Sequence, residues 1–148
     1  MNWKRFLLAF VAVFVASNLL GYLIHERILA LDYLSVSQLW RVPEQQRGYV
    51  PFIWLANGFY ALAFVAIYAK GMEDKPWPQQ GLRFGIWAWL LSQVPGFTIS
   101  YAVQPLPPNL TLKQIGYSLI ASGLLGMLAA ALYRDKGART LRSTAATS

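Results

Sequence analysis

The chain has no cysteine, a single histidine and few charged residues. Without cysteine it can form no disulfide bond, no thiolate metal site and no cysteine nucleophile. One histidine cannot supply an intrachain bis-histidine haem or the usual zinc site, so we expect neither a metal nor a cofactor. Charged residues make up 13% of the 148 positions, which is about half the share of an ordinary soluble domain.

The rest of the composition is strongly apolar. Hydrophobic residues make up 56% of the chain, and the mean hydropathy is +0.38. A soluble fold of this length could not bury that much apolar surface, and disordered chains are poor in apolar residues. The sequence therefore predicts an integral membrane protein with a single domain.

Four segments lack Asp, Glu, Lys and Arg over at least 20 residues each. A helix needs about 20 residues to cross the hydrocarbon core, and a helix satisfies its own backbone polar groups there. We predict an all-α polytopic fold of four transmembrane helices in a bundle. The predicted spans are about 5–27, 50–69, 83–103 and 113–133, and a flexible basic tail follows at 134–148.

Lysine and arginine are distributed unevenly between the two sides of these spans. With the N-terminus inside, nine of the 13 are cytoplasmic, and four are external: Arg27, Arg41, Arg47 and Lys113. The positive-inside rule then predicts that both termini are cytoplasmic. The first apolar run continues to Ile24, which is too long for a signal-peptide core, so we expect an uncleaved first span. Basic residues divided among loops do not indicate a nucleic-acid partner.

The first external loop, roughly 28–49, is the largest one. Its residues 28–41 are amphipathic, which predicts a short interfacial helix, and Pro43 is expected to end any helix there. Thr111 and Gln114 have the spacing of a capping box, which would open the fourth span.

The densest group of ionisable residues lies in this loop and at the end of the first span. We call it the candidate external polar cluster, which comprises His25, Glu26, Arg27, Asp32, Arg41 and Arg47. One interpretation is an interfacial cap with mutual ion pairs. The other is an external site for a polar or anionic head group, with His25 as acid, base or pH sensor.

A second group of polar residues falls within or near the ends of the predicted spans. It forms a candidate intramembrane polar cavity that comprises Asn18, Tyr22, Asn57, Gln93 and Ser100. Polar groups at membrane depth are expected to face the helix assembly and to find partners there.

Two further features concern helix packing. The small-residue stripe repeats every four residues and comprises Ser118, Ser122, Gly126 and Ala130. It predicts a close approach to another span or to a second copy of the chain. In the third span, Pro95 and Gly96 predict a kink, which serves either packing or a hinge.

No catalytic residue is predicted, because the chain has neither a nucleotide-binding glycine loop nor a Gly-x-Ser-x-Gly elbow. No Asp or Glu lies deep in a span, which argues against a proton-driven pump. We therefore expect a non-enzymatic accessory or structural subunit, with membrane lipids and another membrane protein or a second copy as partners. Two alternatives remain open. One is a transporter or binding protein for a small molecule or lipid, which would use the candidate cavity. The other is a membrane enzyme that acts on lipid head groups at the external face through His25 and Glu26.

Four short motifs lie in the two central spans and the loops beside them. They are Val65–Tyr68 with Lys70-Gly71, Glu73–Trp77, Gln80–Gly85 and Tyr101–Pro107. These motifs resemble a family of small, uncharacterised four-span bacterial inner-membrane proteins. The resemblance covers well under half of the chain. It implies four helices in a bacterial inner membrane, and it implies no reaction.

Overall fold

The computed structural model describes residues 2–73 and 76–133, and the regular structure of these residues is entirely helical. The elements in chain order are α1 (Trp3–Tyr22), a π-helical turn (Leu23–Ile28), α2 (Ala30–Leu34), a 3₁₀ turn (Ser37–Leu39), α3 (Pro43–Arg47), α4 (Val50–Lys70), α5 (Trp77–Val103) and α6 (Pro108–Tyr133). The all-α prediction is confirmed for this part of the chain. The predicted tail, 134–148, lies outside the described residues.

Three segments are long and apolar enough to cross a membrane. They are Trp3–Ile28, which joins α1 to the π-helical turn, Val50–Lys70 and Pro108–Tyr133. They indicate an integral membrane protein, and they coincide with the first, second and fourth predicted spans. Helix α5 is also long enough, with 27 residues, but residues such as Gln93 and Pro95 lower its hydropathy. It is not among the three segments, and the fourth span stays a prediction.

An apolar core joins the helices at the end where α1 begins. Val13 of α1, Val65 of α4 and Ala129 of α6 are completely buried in it. Helix α5 reaches the same core through Phe84, whose ring meets that of Phe64 edge-on at a centroid distance of 4.7 Å. The helices are therefore closely packed at this end of the molecule.

Small residues let α5 approach α6 closely. A Cβ atom on Gly81 would lie 2.6 Å from the carbonyl oxygen of Gly126 and 2.8 Å from the Cβ of Ala130. A Cβ atom on Gly85 would collide with the carbonyl oxygen of Ser122. The two backbones therefore leave no room for larger side chains, and the small-residue stripe contacts α5 of the same chain.

The contact between α5 and α6 continues beyond the glycines. The indole Nε1 of Trp89 donates to the carbonyl oxygen of Ile115 at 3.0 Å and lies 3.1 Å from the hydroxyl of Ser118.

Helix α5 runs without interruption through Pro95, where a kink was predicted. A Cβ atom added to the neighbouring Gly96 would meet nothing within 4 Å.

The first loop differs from the expected single interfacial helix. It holds α2, the 3₁₀ turn and α3. The helical segments before Pro43 end at Leu39, and a separate helix, α3, begins at Pro43. A proline is favoured at the first helical position because its missing N–H has no acceptor there. The capping box is also wrong, because α6 already begins at Pro108 and the Thr111 hydroxyl is buried without a hydrogen-bond partner in the described structure.

The loop packs back onto α6 through a second apolar cluster. Leu29 and Val36 are buried against Leu106 and Leu110, while Leu31 on the outer side is 80% exposed. The loop therefore covers the end of the helices opposite the main core.

Candidate functional site

A cavity of about 310 Å³ lies between α1, α4, α5 and α6, and its wall is rich in polar residues. The polar lining residues are Ser17, His25, Asn57, Tyr60, Gln93, Gln114, Ser118 and Ser122. Empty cavities in proteins are apolar, whereas polar cavities contain water or a ligand. The volume is at the lower end of the range of small-molecule sites.

The structure brings together three of the five residues that were predicted to form an intramembrane cavity. Asn57 and Gln93 line the cavity, and Asn57 Nδ2 donates to Asn18 Oδ1 at 2.9 Å. The other two residues lie elsewhere. Tyr22 is 53% exposed on the outside of the chain, and the Ser100 hydroxyl donates to a carbonyl of its own helix.

A chain of hydrogen bonds runs from the cavity wall to the loop. Gln114 Nε2 donates to the Tyr33 hydroxyl at 2.7 Å, and this hydroxyl lies 2.6 Å from His25 Nδ1. Either the Tyr33 hydroxyl donates to Nδ1 or a protonated Nδ1 donates to the hydroxyl, according to the tautomer of the imidazole.

Local helix geometry brings His25 into this series of hydrogen bonds. His25 lies in the π-helical turn, where one extra residue per turn rotates the following side chains. Such turns are rare and occur frequently at functional sites. Helix α2 begins two residues after the turn ends and carries Tyr33 back over the end of α6.

Tyr33 is held in a partly buried, polar environment. Burial raises the pKa of its hydroxyl above the usual value, the hydrogen bond with Gln114 lowers the pKa, and the carboxylates of Glu26 and Asp32 raise it. The neighbouring Asp32 accepts hydrogen bonds from Lys113 Nζ at 2.7 and 2.9 Å. Helix α2 is thus linked to α6 by one ion pair and one hydrogen bond.

The candidate external polar cluster does not come together as one site. Only His25 lines the cavity, and the partner of Asp32 is Lys113, which is not a member of the cluster. Arg27 and Arg41 lie over the rings of Tyr22 and Tyr49, at 5.5 and 4.0 Å from the ring centroids. The remaining two members are exposed: Glu26 and Arg47.

Two buried polar atoms of residues that line the cavity have no hydrogen-bond partner within residues 2–73 and 76–133. One is the Tyr60 hydroxyl. Gln114 is 4% exposed, and its Oε1 is buried without a donor. Leaving a buried acceptor unpaired costs about 1–3 kcal/mol. These two buried atoms therefore lie in the side chains around the cavity without a partner among the described residues.

The sequence analysis missed Tyr60 and Gln114 as cavity residues, and it missed Tyr33 as the hydrogen-bond partner of Gln114. The sequence pattern could have indicated two of these residues, Gln114 and Tyr60. Gln114 lies four residues before Ser118 and so continues the small-residue stripe by one step. Tyr60 lies three residues after Asn57, which places both on one helix face. Tyr33 had no comparable signal, because its contact with Gln114 spans 81 positions of the chain.

Comparisons with protein families, with curated proteins and with solved structures found no match to this chain. In the described ranges, no group of three or more His, Cys, Asp and Glu residues could hold a metal ion. Among the described residues, none of those that line the cavity is Asp, Glu, Lys or Arg. Its chemistry therefore comes from amides, hydroxyls and one imidazole, which can bind a polar molecule by hydrogen bonds.

Proposed function

We propose that this chain is a four-span membrane protein that binds a small molecule in the cavity between its helices. The observation that carries the proposal is the convergence of polar side chains from all four long helical segments on one space of about 310 Å³. Polar residues inside a membrane are costly and mark ligand pathways or binding sites. Binding or transport is thus the function that the geometry supports best.

The fourth span in this proposal is α5. Only residues 104–107 separate α5 from α6. The two helices touch near Gly81 and again near Trp89. These contacts with a helix that is long and apolar enough to cross a membrane support α5 as the fourth span. Gln93, which faces the cavity, is one of the polar residues that lower the hydropathy of α5.

Orientation and location complete the proposal. The distribution of lysine and arginine supports cytoplasmic termini, so α2 and α3 would lie at the external face. The resemblance of the central motifs supports a bacterial inner membrane. Membrane lipids would then be the immediate neighbours of the exposed apolar helix faces.

An accessory subunit without a ligand fits the cavity less well. That interpretation expects the polar residues of the spans to pair with one another and to leave no space. Asn18 and Asn57 do form a pair, but Tyr60, Gln93 and Gln114 line a cavity instead. The enzyme alternative has no comparable support, because the members of the candidate external polar cluster are dispersed.

Accessibility of a single introduced cysteine tests the proposal, since the natural chain has none. Ala121 lines the cavity, and Ala121→Cys should react with hydroxyethyl methanethiosulfonate. Ala56 of α4 also lines the cavity, so adding Ala56→Phe should narrow the cavity and slow the reaction. Ala63 is exposed on the same helix but does not line the cavity, so the matched change Ala63→Phe should leave the rate unchanged. An unreactive thiol in Ala121→Cys, or equal rates with both phenylalanines, would contradict a ligand cavity.

A further inference from the structure

We propose that the ligand of the cavity is an amphiphile that comes from the bilayer. In this proposal the molecule enters sideways, between α4 and α5, so that its small polar end occupies the cavity and its hydrocarbon chain stays in the lipid. The inference rests on the proposed function, and it specifies both the chemical class of the ligand and the side from which the ligand arrives.

Helices α4 and α5 contact each other on one side of the cavity. At the end where α1 begins, the Phe84 ring meets the rings of Phe64 and Tyr68 edge-on, at centroid distances of 4.7 and 5.3 Å. The Tyr68 hydroxyl also donates to Gln80 Oε1 at 3.4 Å. These contacts join α4 to α5 beside the main core, so the space between the two helices is closed at that end.

Beyond these rings, α4 and α5 border the cavity instead of each other. Helix α1 packs against α4 and α6, and α5 packs against α6, but α4 and α5 are not a closely packed pair in the part of the chain that the structure describes. Ala56, Asn57 and Tyr60 of α4 line the cavity, and so do Gln93 and Phe97 of α5. The cavity thus separates the two helices here.

The cavity is partly open, and its other sides are closed by packed residues. On α6, the lining residues Ser122 and Leu125 are only 3% and 4% exposed. The hydrogen bond from Asn57 to Asn18 joins α4 to α1, and the first loop covers the end opposite the main core. Ala56, in contrast, is exposed although it lines the cavity. The opening therefore lies between α4 and α5, with Ala56 at its edge.

The lining changes from apolar at this edge to polar further in. Ala56, the first lining residue of α4, and Phe97, the last lining residue of α5, are both apolar. The next positions inwards hold the amides of Asn57 and Gln93, and the hydroxyl of Ser122 lies in the wall of α6. A polar group gains hydrogen-bond partners in this space, because the surrounding hydrocarbon offers none.

The size of the cavity limits how much of the ligand it holds. A volume of about 310 Å³ is at the lower end of the range of small-molecule sites. A polar group and the first carbons of a chain fit there, while a longer chain extends through the opening. Each methylene that stays in lipid avoids the cost of exposure to water. The ligand class is therefore an amphiphile with a small hydrogen-bonding end, such as a long-chain alcohol or a fatty amide.

The length of the chain on a thiol reagent tests this inference. Ala121→Cys in lipid vesicles is treated with hydroxyethyl and with decyl methanethiosulfonate, because Ala121 lines the cavity. The control is Leu91→Cys on the outside of α5, where Leu91 is 77% exposed. Comparing two reagents at one thiol cancels the pKa of that thiol, and the control corrects for accumulation of the decyl reagent in lipid. We expect decyl-to-hydroxyethyl rate ratios at the two sites that agree within about tenfold.

A ring at the edge of the opening tests the route of entry. Adding Ala56→Phe to Ala121→Cys should lower the ratio at least about fivefold, because overpacking hinders the longer reagent more than the small one. Ala63→Phe, at an exposed position of α4 outside the lining, should leave the ratio unchanged. The comparison of Ala121→Cys with Leu91→Cys needs neither phenylalanine, so it stands even if Ala56→Phe does not fold.

The outcomes separate the two proposals. A ratio at Ala121→Cys more than about tenfold below that at Leu91→Cys, with the hydroxyethyl reagent still reactive, would overturn entry from the bilayer and leave the binding cavity intact. Equal ratios with the two phenylalanines would overturn an opening between α4 and α5. If neither reagent reacts with Ala121→Cys, the proposed function fails together with this inference.

Discussion

Replacing Gly85 with alanine should weaken the chain, because a Cβ atom has no space at this position. It would collide with the carbonyl oxygen of Ser122 and lie 2.9 Å from the Cα of Gly123. Both neighbours are backbone atoms, so a rotamer change cannot relieve the contact and α5 must move away from α6. Overpacking of this kind costs about 1–3 kcal/mol.

The matched control is Gly96→Ala in the same helix. Nothing lies within 4 Å of a Cβ atom there, so this variant should gain only the helix propensity of alanine, about 1 kcal/mol. Relative to the control, Gly85→Ala should therefore lose about 1–3 kcal/mol of unfolding free energy. The assay is SDS titration in mixed micelles, followed by helical circular dichroism. Equal midpoints for the two variants would refute close packing between α5 and α6.

Three other predictions follow from contacts between distant segments. Asn57→Leu removes the hydrogen bond to Asn18 and should lower the free energy of unfolding by about 0.6–1.7 kcal/mol in the same titration; no loss would mean that the pair does not form. Lys113→Gln should change stability by less than about 1 kcal/mol, since its pair with Asp32 is partly exposed, and added salt should shrink the effect. A larger, salt-independent loss would contradict this. The raised pKa of Tyr33 contributes stability that is complete below pH of about 10 and is lost as the pH rises through the raised value. Tyr33→Phe should lack this alkaline loss in unfolding measured against pH, and an identical pH profile would oppose the assignment.

Much of the architecture could be predicted, because charge is excluded from hydrocarbon regardless of tertiary detail. The uncharged segments located the helices that are long and apolar enough to span, and the four-residue repeat ending at Ala130 identified a face that packs closely. Asn57 and Gln93 were grouped because polar side chains at membrane depth are expected to face the other helices, and both line the cavity. Helix starts were predicted less accurately. Helix α3 begins at Pro43, where no helix was predicted, and α6 begins at Pro108, whereas the fourth span was predicted from residue 113.

The contacts that complete the site could not be predicted, because they depend on how the loop returns to the helices. The loop sequence alone does not show that Tyr33 reaches His25 and Gln114, or that Asp32 pairs with Lys113. The π-helical turn changes the direction of the side chains that follow, and no residue pattern in Leu23–Ile28 predicts such a turn. Burial of Gln114 likewise depends on the position of the loop above it.

Native mass spectrometry of the gently extracted protein tests the central claim most directly. We predict that the natural chain and Ala63→Phe both retain the same small-molecule adduct, and that Ala56→Phe, which places a ring at the cavity wall, loses it. A natural chain without an adduct, or an adduct that survives in Ala56→Phe, would contradict a ligand cavity. An extra mass of protein size that all three chains share would instead identify an accessory subunit and its partner.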